Sequence, residues 1–177
     1  MVDERALPAL QKLDELNIPY KLYEHKLALT MEDCEGIGSD IGAAHFKNLF
    51  LTTRAGDTFY LALLRADKKF HTGVVSRQLG SERLCFASAE QLKEKLGLEA
   101  GSVTPLALIN DMDHSITVAI DKDIMAHPLL CMHPLISNTT VAISRMDMVR
   151  YIKACGNEYK YITVDDGERE ESCDAGI

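Results

Sequence analysis

The chain has 177 residues, of which 46% are hydrophobic and 26% charged, with a net charge of −8. These values are typical of one soluble globular domain and exclude a disordered chain, a collagen-like repeat and a small disulfide scaffold. No stretch approaches the roughly 20 consecutive apolar residues of a membrane span. The first ten residues carry acidic side chains before any apolar run, unlike a secretory signal. We therefore expect a cytoplasmic protein without a membrane segment.

The negative charge is unevenly distributed along the chain. Residues 165–174 alone carry −5, so we expect residues 165–177 to form an acidic, disordered tail after a single folded domain of residues 1–164. Residues 45–83, in contrast, have a local balance of +4. This distribution suits a partner that contacts one small basic patch, and does not suit a protein that wraps a long duplex.

The first elements follow from periodicity and capping. Leucines at every third position from Leu7 to Leu16 predict an opening helix. Residues 18–23 predict a short strand. Thr30 is followed by acidic residues, which is a helix N-cap signature, and a second helix is expected to begin there.

A hairpin is predicted next. Residues 49–54 and 58–65 are rich in apolar and β-forming side chains, and Ala55–Asp57 between them contains a glycine suited to the turn. A short helix over 73–79 and a strand over 84–87 follow.

The second half of the chain continues to mix helices and strands. One helix is predicted from its Ser88 cap to Gly97, and another over residues 147–154. Strands are predicted over residues 106–109, 115–121 and 139–144, with a further element opening near residues 127–130. The elements lack a strict βαβ rhythm and hairpins recur. The predicted fold class is therefore α/β, a single domain with a mixed, largely antiparallel curved sheet flanked by helices.

Common catalytic and metal-binding signatures are absent from the sequence. The five cysteines include no CxxC pair and are expected to be free thiols. His127, Cys131 and His133 lie close together, but their spacing matches no standard zinc pattern. Neither a metal nor another cofactor is expected.

Three polar segments have both a structural and a functional interpretation. Lys47 stands where an apolar strand begins, so its ammonium either extends to solvent or faces a polar cleft. The loop Gly101–Pro105 suits an ordinary corner as well as a close approach of a ligand carbonyl. The polar residues 137–140 after His133 either satisfy their own backbone or bind a ligand.

The order of these segments carries more information than any one of them. The chain contains KNLFL, RLCF, LGLEAGSVTPLALIN and HPLISNTTVAIS, in that order. Together they resemble the prolyl-tRNA editing family, the YbaK/ProX group, which is related to the insertion domain of bacterial prolyl-tRNA synthetase. The resemblance covers about residues 5–155 and is greatest to the freestanding ProX-type deacylases.

The resemblance implies a set of site residues. Lys47 matches the family's essential lysine and is the expected catalytic residue. The expected substrate-binding residues are Thr30, Asn48, Gly101, Ser102, Met132, His133, Ser137 and Asn138. One position departs from the family pattern HPxxNxxT, because Ser137 stands where the asparagine is expected and Asn138 follows one residue later.

The implied function is trans-editing, in which water hydrolyses the aminoacyl ester of a mischarged tRNA(Pro), with alanyl-tRNA(Pro) as the expected substrate and no cofactor. The expected partners are the acceptor end of that tRNA and prolyl-tRNA synthetase. Lys47 and the Gly101 corner are expected to share one small cavity near Met132 and His133. Two alternatives stay open, namely deacylation of cysteinyl-tRNA(Pro) and a catalytically silent module that binds tRNA or the synthetase.

Overall fold

The computed structural model describes residues 3–25 and 40–165. The α-helices of these residues are α1 Leu7–Glu15, α2 Thr72–Leu79, α3 Ala89–Leu96 and α4 Arg145–Ala154. The strands are β1 Lys21–Glu24, β2 Phe46–Thr53, β3 Phe59–Arg65, β4 Leu84–Phe86, β5 Ile116–Asp121, β6 Leu129–Met132, β7 Thr139–Ser144 and β8 Tyr159–Ile162. Short 3₁₀ helices span Glu4–Ala6, Pro105–Asn110 and Lys122–Ala126. No helix in the described ranges is long and apolar enough to cross a membrane.

The strands form two sheets. The larger sheet has the order β4-β2-β3-β5-β8, with β2 antiparallel to both β3 and β4 and with parallel pairing of β3 to β5 and of β5 to β8. The smaller sheet, β1-β7-β6, is antiparallel throughout. The predicted α/β class with mixed, largely antiparallel pairing is confirmed, and the strands are divided between two sheets instead of one.

The larger sheet separates two apolar cores. Alternate side chains of a strand point to opposite faces, so Phe46 and Phe50 of β2 join the larger core, where α1, α3 and α4 pack. Leu51 points to the other face and joins a smaller core with Val75 and Leu79 of α2. This alternation decides which side of the molecule each polar residue of β2 can reach.

Local signals fix several elements where they were predicted. The Ser88 hydroxyl accepts from the Gln91 amide and the Gln91 side chain accepts from Ser88 N–H, a complete capping box that starts α3. Helix α1 also forms, but its buried face consists of Ala9, Leu10 and Leu13, whereas Leu7 is 40% exposed. A spacing of strictly three residues drifts around a helix of 3.6 residues per turn, which explains why Leu7 leaves the core.

Two strand predictions are wrong in position or type. Residues 106–109 form part of the 3₁₀ helix Pro105–Asn110, because the Thr104 hydroxyl accepts from Leu106 N–H and Pro105 occupies its first position. Strand β2 begins at Phe46, three residues before the predicted start, which places Lys47 and Asn48 inside the strand.

Two further differences concern chain ends and gaps. Strand β8 was not predicted, because its four residues extend the sheet through parallel pairing with the distant β5. The helix expected at Thr30 lies outside the described residues, as does the segment 166–177 of the expected tail.

Candidate functional site

A cavity of about 770 Å³ lies between two loops that the sequence analysis singled out. One wall is formed by residues 97–102 and the other by residues 135–138, with Arg5, Pro8 and Asn110 completing the lining. Four predicted substrate-binding residues line it: Gly101, Ser102, Ser137 and Asn138. The fold therefore brings together the glycine corner and the polar loop, which are far apart in the chain.

The first wall is a tight turn. Ser102 N–H donates to Glu99 O at 3.2 Å, and Gly101 has φ +87°, the conformation that the third position of a type II turn requires. The Ser102 hydroxyl also donates to Glu99 O, at 2.7 Å. Both polar groups of Ser102 are thus used within the turn, whereas Gly101 N–H has no acceptor among residues 3–25 and 40–165. Of these two backbone amides, only that of Gly101 is left without an acceptor inside the turn.

Hydrogen bonds join the second wall to its surroundings. The Thr104 hydroxyl donates to His133 O at 2.8 Å, which ties the segment after the Gly101 turn to the start of the second loop. His25 N–H donates to Asn138 O at 3.0 Å, which ties the end of that loop to the end of β1. Between these two points Leu135 has φ +68°, a strained conformation for a branched side chain. The loop is therefore held in one shape from both ends.

His133 lies on the second loop without lining the cavity. Its Nδ1 is 3.2 Å from Thr139 O, and since a carbonyl oxygen only accepts, the proton is on Nδ1 and Nε2 is an acceptor. Burial lowers the pKa of His133, the hydrogen bond to Thr139 opposes this shift, and the charge of His25 adds to it. The ring is accordingly neutral at pH 7 and holds the loop through Thr139.

Two more histidines, which the sequence analysis missed, surround His133. Burial lowers the pKa of His45 to about 4, and the charges of His133 and His25 shift it in the same direction. His45 Nε2 is buried without a hydrogen-bond partner among the described residues, and His25 Nε2 lies 2.9 Å from the Thr140 hydroxyl. The three rings form a histidine cluster (His25, His45, His133) beside the second loop.

The histidine cluster predicts a loss of stability in acid. Below about pH 6.5 the unfolded chain binds a proton on His45 that the folded chain does not bind until about pH 4, so the free energy of unfolding falls as the pH falls through this window. Allowing for the partial exposure of the ring, the effect of His45 is about 2 kcal/mol. A His45→Leu variant should lose correspondingly less stability than the wild type between these two pH values, as measured by urea unfolding.

His127 offers a matched control, because its side chain is exposed. A His127→Leu variant should keep the wild-type dependence of stability on pH. Equal slopes in the wild type and the His45→Leu variant would contradict the assignment.

Asn48 and Met132 lie toward the larger core. Asn48 shares the face of β2 with Phe46 and Phe50, and its Oδ1 is buried without a hydrogen-bond partner among the described residues. Met132, at the end of β6, is 2% exposed and packs in the same core. Neither residue lines the cavity.

Lys47 lies on the opposite face of β2 from Asn48. Its ammonium donates to Lys68 O at 2.8 Å, and it is not among the residues that line the cavity. The common cavity expected for Lys47 and the Gly101 corner stays a prediction. Alternation within β2 turns Lys47 toward the side of Leu49 and Leu51.

A buried ion pair fixes the carbonyl that holds Lys47. Lys68 is 4% exposed, and its ammonium lies 2.9 Å from Asp121 Oδ1 and 2.7 Å from Asp123 Oδ2. Burial opposes the charged form, but hydrogen bonds to Asp123 and Asp121 outweigh it and raise the pKa of Lys68. Lys47 is thus held against a rigid part of the chain.

Of the other sequence-based expectations, Thr30 lies outside the described residues. Within the described ranges, no three His, Cys, Asp or Glu side chains are grouped so that they could hold a metal ion. Among the described residues, Cys85, Cys131 and Cys155 form no disulfide bond, as predicted.

Comparison with known families decides what kind of domain this is. Residues 25–151 match the model of the aminoacyl-tRNA editing domain. The chain belongs to this family. Members of the family are aminoacyl-tRNA deacylases, and the match includes Lys47, the Gly101 turn and the loop from His133 to Asn138.

Relatives cover nearly the same part of the chain. The prolyl-tRNA editing protein ProX of Acetoanaerobium sticklandii is 35% identical over 153 residues, which are 86% of this chain and 93% of the relative. The prolyl-tRNA synthetase associated domain-containing protein 1 of Danio rerio is 33% identical, over 80% of this chain and 77% of that protein.

A solved structure, described as that of a candidate trans-editing enzyme for prolyl tRNA synthetase, has the same fold. It superposes with a TM-score of 0.72 at 16% identity and covers 93% of this chain and 100% of that chain. This likeness confirms the fold of the aminoacyl-tRNA editing domain.

Proposed function

We propose that this editing domain acts in trans on tRNA(Pro) that carries the wrong amino acid, with alanyl-tRNA(Pro) as its main substrate. The observation that carries the proposal is the cavity between the Gly101 turn and the Leu135–Asn138 loop, where an unused backbone N–H stands beside polar side chains. The names of the relatives, a prolyl-tRNA editing protein among them, support tRNA(Pro) as the tRNA.

The reaction is the hydrolysis of an ester. A water oxygen attacks the carbonyl carbon that joins the amino acid to the 3′-terminal ribose, and the bond from that carbon to the ribose oxygen then breaks. The ribose hydroxyl recovers a proton and the free amino acid leaves. Negative charge develops on the carbonyl oxygen, and Gly101 N–H is the donor proposed to receive it. Since Gly101 has no side chain, the ester can approach the backbone closely.

The remaining predicted residues take different roles in this proposal. Ser137 and Asn138 line the cavity and offer polar contacts to the ribose or the amino group of the substrate. Ser102 shapes the turn through Glu99. His133 is a positioning residue, because its hydrogen bond to Thr139 and the bond of its carbonyl to Thr104 hold the second wall in place.

Lys47 is assigned to the phosphate of the tRNA end, not to the ester. Its ammonium is outside the lining of the cavity, and an ammonium is a compact point charge suited to phosphate oxygens. Its anchor on Lys68 O uses one of its three donors and leaves two for the substrate.

Alanine is the proposed substrate because a synthetase site that fits proline excludes a smaller amino acid poorly. One methylene changes binding by only about 1–3 kcal/mol, so a second site must remove the error. At about 770 Å³ the whole cavity has room for the terminal nucleotide as well as the amino acid. Selection against proline is therefore proposed for its apolar corner, at Leu98, Leu135 and Ile136.

A deacylation panel tests this function. Alanyl, cysteinyl and prolyl esters of the same tRNA(Pro) are incubated with the protein, and the rates of hydrolysis are compared. We expect the alanyl ester to react fastest and the prolyl ester slowest. If the cysteinyl ester is hydrolysed fastest, the main substrate is cysteinyl-tRNA(Pro) and not alanyl-tRNA(Pro). Tight binding of the tRNA without hydrolysis of any ester would favour the catalytically silent binding module.

A further inference from the structure

An exposed aromatic surface lies on the Lys47 side of the larger sheet. Phe86, at the end of β4, is 61% exposed, which is unusual for a large apolar ring. Phe70 is half-buried, and its ring centroid lies 5.6 Å from that of Phe86 at an interplanar angle of 60°. Phe70 supports Phe86 from the side, so the Phe86 ring is held in place while much of it faces solvent.

The strand register places Phe86 and Lys47 on one face. Phe86 is paired with Leu51 of β2, and paired residues of neighbouring strands point to the same side. Leu51, Leu49 and Lys47 alternate along that side of β2. The four residue-to-residue steps from Leu51 to Lys47 span about 13 Å at about 3.3 Å per step. Stacked nucleotides of one strand repeat at about 3.4 Å, so this is the length of a few nucleotides.

This surface carries two positively charged lysines that are not neutralised by a described carboxylate. Lys47 and the exposed Lys69, which directly precedes Phe70, form no ion pair with a described carboxylate. The nearby acids are already paired, since Asp67 binds Arg65 and Asp121 and Asp123 bind Lys68. The surface therefore combines an exposed ring with two ammonium groups.

We infer that this aromatic surface (Lys47, Lys69, Phe70 and Phe86) binds the unpaired nucleotides at the 3′ end of the tRNA. The inference rests on the proposed function, which it deepens by naming the part of the substrate that is recognised. Bases stack on an exposed aromatic ring, and ammonium groups bind the phosphates between them, which is how proteins hold single-stranded nucleic acid. Phe86 receives a base, and Lys47 and Lys69 contact the backbone.

The surface also leads toward the cavity. Strand β4 pairs with β2 only along residues 51–53, so no strand among residues 3–25 and 40–165 pairs with the beginning of β2 on that edge. The chain just before β2 runs beside β6, where Cys131 N–H donates to Ala44 O at 2.9 Å. Strand β6 ends at Met132, directly before the cavity loop that begins at His133. A nucleotide strand that runs from Phe86 over the exposed Lys69 to Lys47 thus approaches the wall that is proposed to bind the ester.

The test compares uncharged tRNA(Pro) with the same tRNA trimmed of its unpaired 3′ nucleotides. A Phe86→Ala variant should bind the intact tRNA roughly 5- to 100-fold more weakly than the wild type and should bind the trimmed tRNA equally well. Phe86→Trp should keep wild-type binding, because it retains a ring. Met146→Ala removes another exposed apolar side chain, which is 63% exposed on α4, and should have no effect.

Kinetics separate this inference from the proposed function. Phe86→Ala should raise KM for alanyl-tRNA(Pro) and leave hydrolysis of alanyl-adenosine, which has no further nucleotides, unchanged. Unchanged binding of intact tRNA by Phe86→Ala, or equal weakening for both tRNAs, would overturn the inference while the deacylase function stands. If the wild type self-associates, and Phe86→Ala abolishes this association without changing tRNA binding, the inference would be overturned. The aromatic surface would then bind a second copy of the chain. Failure of the wild type to hydrolyse any ester would instead overturn the proposed function.

Discussion

Replacing Lys47 with alanine is expected to lower kcat/KM for alanyl-tRNA(Pro) by about 10- to 100-fold, the size expected for one lost bond to a charged group. The variant loses the ammonium that is proposed to bind a phosphate of the tRNA end. Stability should fall by only about 1 kcal/mol, because the folded chain loses one hydrogen bond, to Lys68 O. Deacylation kinetics and urea unfolding measure the two effects separately.

Three comparisons sharpen this test. Lys122→Ala removes an exposed lysine elsewhere and should keep full activity. Lys47→Arg should recover part of the activity, since a guanidinium keeps the positive charge and also binds phosphate oxygens. With alanyl-adenosine, which lacks phosphate, Lys47→Ala should lose much less activity than with the tRNA. Equal losses of activity on both substrates would indicate that Lys47 acts on the ester and not on a phosphate. Full activity of Lys47→Ala on the tRNA would show that Lys47 has no role in the reaction.

The parts of the fold that could be predicted are those with local signals. Helix α3 was predicted at both ends because Ser88 caps it and Gly97 ends it in a left-handed conformation, and both signals lie within the element. The hairpin of β2 and β3 was predicted for the same reason. Strand β8 and the division into two sheets depend on pairing between distant segments, for which a single sequence carries no local signal.

The residues of the candidate site likewise include some that local motifs predicted and others that depend on contacts between distant segments. Gly101 and Ser137 belong to motifs that resemble the editing family, and the fold brings them to one cavity. Lys47 was left outside the predicted strand, which began at residue 49, so the alternation that fixes its side of the sheet was not applied to it. The electrostatic effect of His25 and His133 on His45 joins residues from three separate parts of the chain, so no spacing in the sequence indicated it.

Replacing Asp121 with alanine is expected to lower the free energy of unfolding by about 3–5 kcal/mol, because it leaves a buried ammonium with one partner fewer. Asp121 is fully buried, and its carboxylate accepts from the Lys68 ammonium and from the backbone N–H groups of Arg65 and Asp123. All three donors lose their acceptor in the variant. Urea unfolding at pH 7 measures the change.

The partly exposed Asp123 provides the matched control. Its side chain is 50% exposed, so Asp123→Ala should cost only about 1 kcal/mol although it also contacts Lys68. The double variant Lys68→Met with Asp121→Leu removes both charges and should recover most of the stability lost by Asp121→Ala. A loss below about 1 kcal/mol in Asp121→Ala would show that water reaches Lys68. In that case the carbonyl of Lys68 would be no rigid anchor, and the fixed position of Lys47 on the tRNA-binding side would lose its structural basis.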